Sequence, residues 1–96
     1  MTDSIRDKVI FQEQGKTVQP LFPDSFKVVG IGLMTGQTLE KHKAPAAAFL
    51  LVQEGMIEFR LSAAKHILKT GDYMRIPPME EHELKALEDS RLVLVR

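Results

Sequence analysis

The chain has 96 residues, 44% of them hydrophobic, and thirteen basic side chains balance thirteen acidic ones. That length and apolar content describe one globular domain and exclude a disordered tract, while the neutral balance excludes the net field that recruits nucleic acid or an anionic membrane. Cysteine is absent, so disulfides and thiolate chemistry are excluded, which fits a reducing compartment. The longest apolar run, Ala44 to Val52, is too short to span a bilayer. Asp3, Arg6, Asp7 and Lys8 interrupt any apolar core of a leader at the start. A cytoplasmic protein with no membrane and no nucleic-acid partner is therefore expected.

Residues 1–25 read as an N-terminal segment and residues 26–96 as the main body. In the first, "DSIRDKVI" predicts a short helical turn with Asp3 or Ser4 as its cap; the rest forms a strand of the body or swaps to a partner. From there on turn signals recur every few residues, at Pro23-Asp24, Thr35-Gly36, Pro45, Glu54-Gly55, Ser62, Thr70-Gly71-Asp72, Pro77-Pro78 and Asp89-Ser90. Short segments between such signals predict an all-β sandwich or barrel. "FKVVGIGLM" is apolar on both faces, with Val29, Ile31 and Leu33 opposite Phe26, Val28, Gly30, Gly32 and Met34. A strand of that kind needs cover beyond its own barrel. Either a second subunit or the N-terminal segment supplies it, and a homodimer is expected, which would also help a chain this small to stability. Thr38, Glu40, His42 and Ala44 share a face by strict alternation. "MIEFRL" points Ile57, Phe59 and Leu61 one way and Glu58 and Arg60 the other, and His66 in "HILKT" reads as a surface or strand-edge residue. "HELKAL" sets His82, Leu84 and Ala86 on one face, and "RLVLV" sets Leu92 and Leu94 against Val93 and Val95.

The glycine, proline and histidine spacing resembles the two motifs of cupin domains, G-x5-H-x-H-x3,4-E-x6-G and G-x5-P-x-G-x2-H-x3-N. Gly36, His42 and Gly55 match the first; Gly71, Pro77 and His82 match the second, within "LKTGDYMRIPPMEEH". The resemblance covers residues 26–96 and implies a single cupin β-barrel of the double-stranded β-helix, or jelly-roll, type. It also exposes departures. In metal-binding cupins the ligands are three histidines and a glutamate. Here Ala44 stands for the second histidine, Ala48 (or Phe49 at the longer spacing) for the glutamate, Met79 for the motif-two glycine and Ala86 for the asparagine.

Of the ligand set His42 and His82 remain, and two imidazoles alone make a weak, exchangeable site. The expected function is that of a small stand-alone cupin, non-catalytic or weakly catalytic, binding an unidentified small molecule in the barrel pocket. That pocket is expected to be lined by His42, His82, Glu40, Ala44, Ala48, Met79 and Ala86, without a resident cofactor. Met34, Met56, Met74 and Met79 are expected to fill part of the space left by the alanines. The alternative is a metal-dependent enzyme of dioxygenase, isomerase or decarboxylase type. It would hold Mn, Fe, Ni, Cu or Zn on His42 and His82, with Glu40, Glu80 or Glu81 as substitute carboxylate. A third reading is a structural barrel with a filled interior.

Overall fold

A computed structural model gives the structure, which describes residues 2–22 and 24–96, with His42 described in its backbone alone. One helical turn, α1 (Ile5–Lys8), precedes β1 (Thr17–Phe22), β2 (Val28–Leu33), β3 (Thr38–His42), β4 (Ala48–Glu54), β5 (Met56–Leu61), β6 (Ala64–Lys69), β7 (Tyr73–Ile76), β8 (His82–Ala86) and β9 (Ser90–Val95). Ser4 takes the N-cap position of α1 in extended conformation but makes no side-chain cap bond. The strands form a five-stranded sheet, β1-β2-β9-β4-β7, facing a four-stranded one, β3-β8-β5-β6. Every hydrogen-bonded pair of these strands is antiparallel.

The core follows from the side-chain period of two. β5 buries Ile57 and Phe59 and keeps Arg60 outside, and β8 buries Leu84 and Ala86 beside them. The facing sheet contributes Ile31, Leu33, Leu50, Val52, Ile76 and Leu92. Each such large aliphatic or aromatic side chain contributes about 1.5–3 kcal/mol on leaving water. His66 is exposed on β6, the edge strand of its sheet.

β2 is buried on both faces, as its composition predicts, and part of the cover comes from the same chain. Gly30 and Gly32 leave a groove on the outer face of the five-stranded sheet, and Val9, fully buried, lies in it. A Cβ on Gly30 would stand 2.4 Å from Val9 Cγ2, so the close approach requires glycine there. Arg91 of β9 fastens this strap. Only 9% exposed, it donates from Nε to the Val9 carbonyl at 2.7 Å and from Nη1 to Glu54 Oε1 at 2.7 Å. Its guanidinium lies 4.0 Å from the centre of the Phe11 ring. Gln37 Nε2 adds bonds to the carbonyls of Gln12 (3.0 Å) and Glu13 (3.2 Å). At this end of β2 a second subunit is not needed as cover.

The alternation expected for β3 does not hold along its length. Its register with β8 shifts between Leu39, opposite Leu84, and His42, opposite His82. Leu39 packs on the core while Thr38 and Glu40 are exposed. A bulge changes the parity across Glu40 and Lys41, so Glu40 and His42 do not follow one simple alternation.

Candidate functional site

His82 opens β8 four residues after Pro77–Pro78, where two consecutive prolines hold the chain extended and remove two donors. Its residue is 9% exposed. The ring lies almost parallel to Phe59, with centroids 5.8 Å apart and 12° between planes. Nδ1 stands 3.0 Å from the Glu80 carbonyl. A carbonyl only accepts, so Nδ1 carries the proton, and in the neutral ring Nε2 is the acceptor. The loop before it is tied down by Ser62, whose N–H donates to the Glu81 carbonyl (3.0 Å) and whose hydroxyl donates to Glu80 Oε2 (3.1 Å).

His82 separates two spaces of different size. Inside, bounded by Phe59, Ile31, Leu50 and Leu84, is a cavity of about 30 Å³, the volume of about one water molecule. Outside, beside the turn from β5 to β6, is an open cleft of about 360 Å³ whose walls include Lys41, Arg60, Ser62, Lys65, Glu81 and Glu83. Its cations sit in a loose ion-pair network. Lys41 lies 3.9 Å from Glu81, while Arg60 (3.3 Å) and Lys65 (3.6 Å) share Glu58. All three cations are more than half exposed, so each pair contributes well under about 1 kcal/mol, and the charges can turn to a ligand at little cost.

The other residues expected in a pocket are distributed as follows. The backbone register sets His42 directly opposite His82; its side chain lies outside the described residues. Ala48 is half-buried against the core at the start of β4, and Ala86 is buried, its N–H donating to the Gln37 carbonyl at 2.9 Å. Ala44 is half-buried in the loop after β3, and its carbonyl accepts the Met79 N–H at 2.7 Å. Met34, Met56 and Met74 are half-buried, and Met74 packs on the core. Met79 fills nothing: it is 58% exposed. It also has φ +63°, the left-handed region that suits the glycine of the second motif. Met79→Gly should therefore raise stability by about 0.5–1 kcal/mol in urea denaturation, because the relieved strain exceeds the loss of an exposed side chain; a destabilisation would contradict this.

Groups able to hold a metal beside His82 are sparse among the described side chains, which do not include that of His42. No three His, Asp or Glu groups come together among the described residues. Glu40 is exposed on β3, and alanine stands at two ligand positions of the family motif. The cleft residues Arg60, Lys65 and Glu83 are absent from the residues expected in a pocket, because alternation reads each simply as solvent-facing. Only the register, which aligns Arg60 with Glu83 on one side and Lys65 on the other, brings them together.

Two facing antiparallel sheets around an apolar interior, with the second-motif histidine on the inner face of β8, define a small single-domain barrel of the double-stranded β-helix class. The family model described as Cupin domain matches residues 31–95, and the chain belongs to that family. Among solved structures, a conserved protein of unknown function from Streptococcus pyogenes superposes with TM-score 0.89 at 19% identity, covering 99% of this chain and 84% of its own. An RmlC-like cupin from Desulfovibrio desulfuricans gives 0.87 at 21% identity, covering 99% and 93%. The cupin domain of Schizosaccharomyces pombe Cnp3 gives 0.80 at 19% identity, covering 93% and 68%. At these identities the likeness is one of fold. No curated protein matches the sequence. Among the described residues no helix is long and apolar enough to cross a membrane.

Proposed function

We propose that this cupin is a non-catalytic binding protein, active as a homodimer, that takes a small polar molecule with an anionic group into the cleft beside His82. The observation that carries the reading is the contrast of volumes. The interior space of about 30 Å³ is an order of magnitude below the roughly 300–1,000 Å³ of small-molecule sites, whereas the outer cleft of about 360 Å³ falls within that range. Lys41, Arg60 and Lys65 supply anion-binding donors, Ser62 a hydroxyl and Glu83 an acceptor.

The test is a thermal-shift and amide-NMR titration with succinate, citrate and glucose 6-phosphate, run beside Mn, Fe, Ni, Cu and Zn salts. A ligand at a hundred times its dissociation constant contributes about 2.7 kcal/mol, or very roughly 10 °C or more in a domain of this size. Such a shift, abolished in Arg60→Ala/Lys65→Ala and accompanied by His82 resonance changes, supports the reading. A shift produced only by one divalent metal and lost in His82→Ala would replace it with the metal-dependent alternative. No shift from any probe would leave the filled structural barrel as the better account.

A further inference from the structure

The outer face of the five-stranded sheet is divided. Around Gly30, Gly32 and Arg91 the N-terminal strap roofs it. At the opposite end a cross-strand row runs Phe22, Val28, Val95, Phe49, Arg75 through all five strands. Val29, Leu94, Leu50 and Met74 face the core, so this row faces outward, as do Val93, Leu51 and Tyr73 of the next one, whose β2 member, Gly30, lies under Val9. Phe26 stacks on Phe22 at 5.0 Å, and Phe49 meets Tyr73 at 5.3 Å. Tyr73 is 67% exposed, Phe26 51%, Phe49 40% and Phe22 38%. Aromatic side chains present about 150–250 Å² each, so these four rings leave on the order of 400 Å² in water. That is about half of the ~800 Å² each partner buries in a standard interface. It also equals the largest apolar patch of an ordinary monomer before the intervening valines and leucine are added.

We infer that this half-face packs against the same half-face of a second copy, about a two-fold axis running along β9. The inference rests on the homodimer reading above and is independent of the cleft. β9 is the middle strand of five, so such an axis lays β1 of one copy over β7 of the other and β2 over β4. The low, β-branched side chains Val93 and Val95 meet at the axis, and the bulkier aromatics lie to either side. The ends of the row then complement each other in charge. Arg75 closes it on β7, while exposed Asp24 follows Phe22 by two residues at the β1 end. The two-fold axis brings Arg75 of each copy to Asp24 of the other, forming two pairs per dimer.

The experiment is light scattering after size exclusion over a range of concentrations, on the intact chain and on Arg75→Glu, Asp24→Arg/Arg75→Glu and Phe49→Glu, with circular dichroism to verify folding. Wild type is expected at twice the 10.8 kDa chain mass. Arg75→Glu, which sets like charges together twice, should raise the dissociation constant about tenfold or more, and the double charge exchange should restore it. Phe49→Glu should give a folded monomer. A wild type that stays monomeric at every concentration overturns the dimer reading and this face together. A dimer indifferent to both Arg75→Glu and Phe49→Glu overturns the face and leaves the dimer standing. Loss in Arg75→Glu without recovery in the double variant overturns the axis.

Discussion

Gly55→Ala is expected to remove about 4 kcal/mol of stability, a large share of the total, since whole domains hold only about 5–15 kcal/mol. Gly55 forms the corner where β4 leaves one sheet and β5 enters the other. Its φ is +104°, outside the ordinary range of residues with a Cβ. The more serious obstacle is space. A Cβ there would lie 2.3 Å from Ser90 Oγ, 2.5 Å from the Asp89 carbonyl and 2.7 Å from Ser90 Cα. Two of these atoms are backbone and cannot rotate away. The third belongs to a fully buried hydroxyl that accepts from Met56 N–H at 3.0 Å and lies 2.7 Å from the Glu88 carbonyl. Relief would have to part β5 from the turn into β9, disturbing both sheets. Gly71→Ala separates the two contributions, since Gly71 has φ +90° but nothing within 4 Å of its would-be Cβ; it should cost only about 1 kcal/mol. Urea denaturation of the two variants decides the matter. Equal midpoints would show that the corner yields and that the close approach is not what demands glycine.

That contrast bears on how far the sequence reveals the structure. The glycine positions and the alternation in "MIEFRL" and "HELKAL" are legible because each depends on local geometry: a left-handed turn, or one buried face repeated every second residue. Gly55 and Gly71 look alike in the sequence, yet only one is crowded, and the crowding comes from Ser90, thirty-five positions away. β3 deceives for a related reason. Nothing in "TLEKH" marks the register shift that separates Leu39 from His42, because a bulge is set by the partner strand. The cleft is less legible still. Arg60, Lys65 and Glu83 lie on three strands, and each obeys the rule that polar residues face water. Their juxtaposition is a property of strand order. Beside His82 the barrel interior has room for about 30 Å³ between Phe59, Ile31, Leu50 and Leu84, a size that no residue type in the sequence announces.

Arg91 carries the same lesson furthest and gives the second large effect. It stands at the start of "RLVLV", and it is nearly buried because residues 9–11, some eighty positions earlier, fold over it. Arg91→Ala should cost about 2–4 kcal/mol. It removes the charge-assisted bond to the Val9 carbonyl, the contact with the Phe11 ring and the partner of Glu54 at once. The Glu54 side chain is one-third exposed, so water recovers part of its solvation and keeps the cost below that of a fully buried orphan charge. Arg91→Lys should restore little, because an ammonium cannot donate in two directions from one plane while lying against an aromatic ring. The local consequence distinguishes a fastening from a general support. Hydrogen exchange should accelerate at the Val9 amide, which donates to the Ile5 carbonyl at 2.8 Å, while β5 and β8 keep their protection. A double-mutant cycle with Glu54→Gln should show a coupling of about 1–2 kcal/mol. If Arg91→Ala costs less than about 1 kcal/mol, or if Val9 exchanges no faster than in the wild type, the strap is held by Val9 in its glycine groove alone, and Arg91 is a bystander.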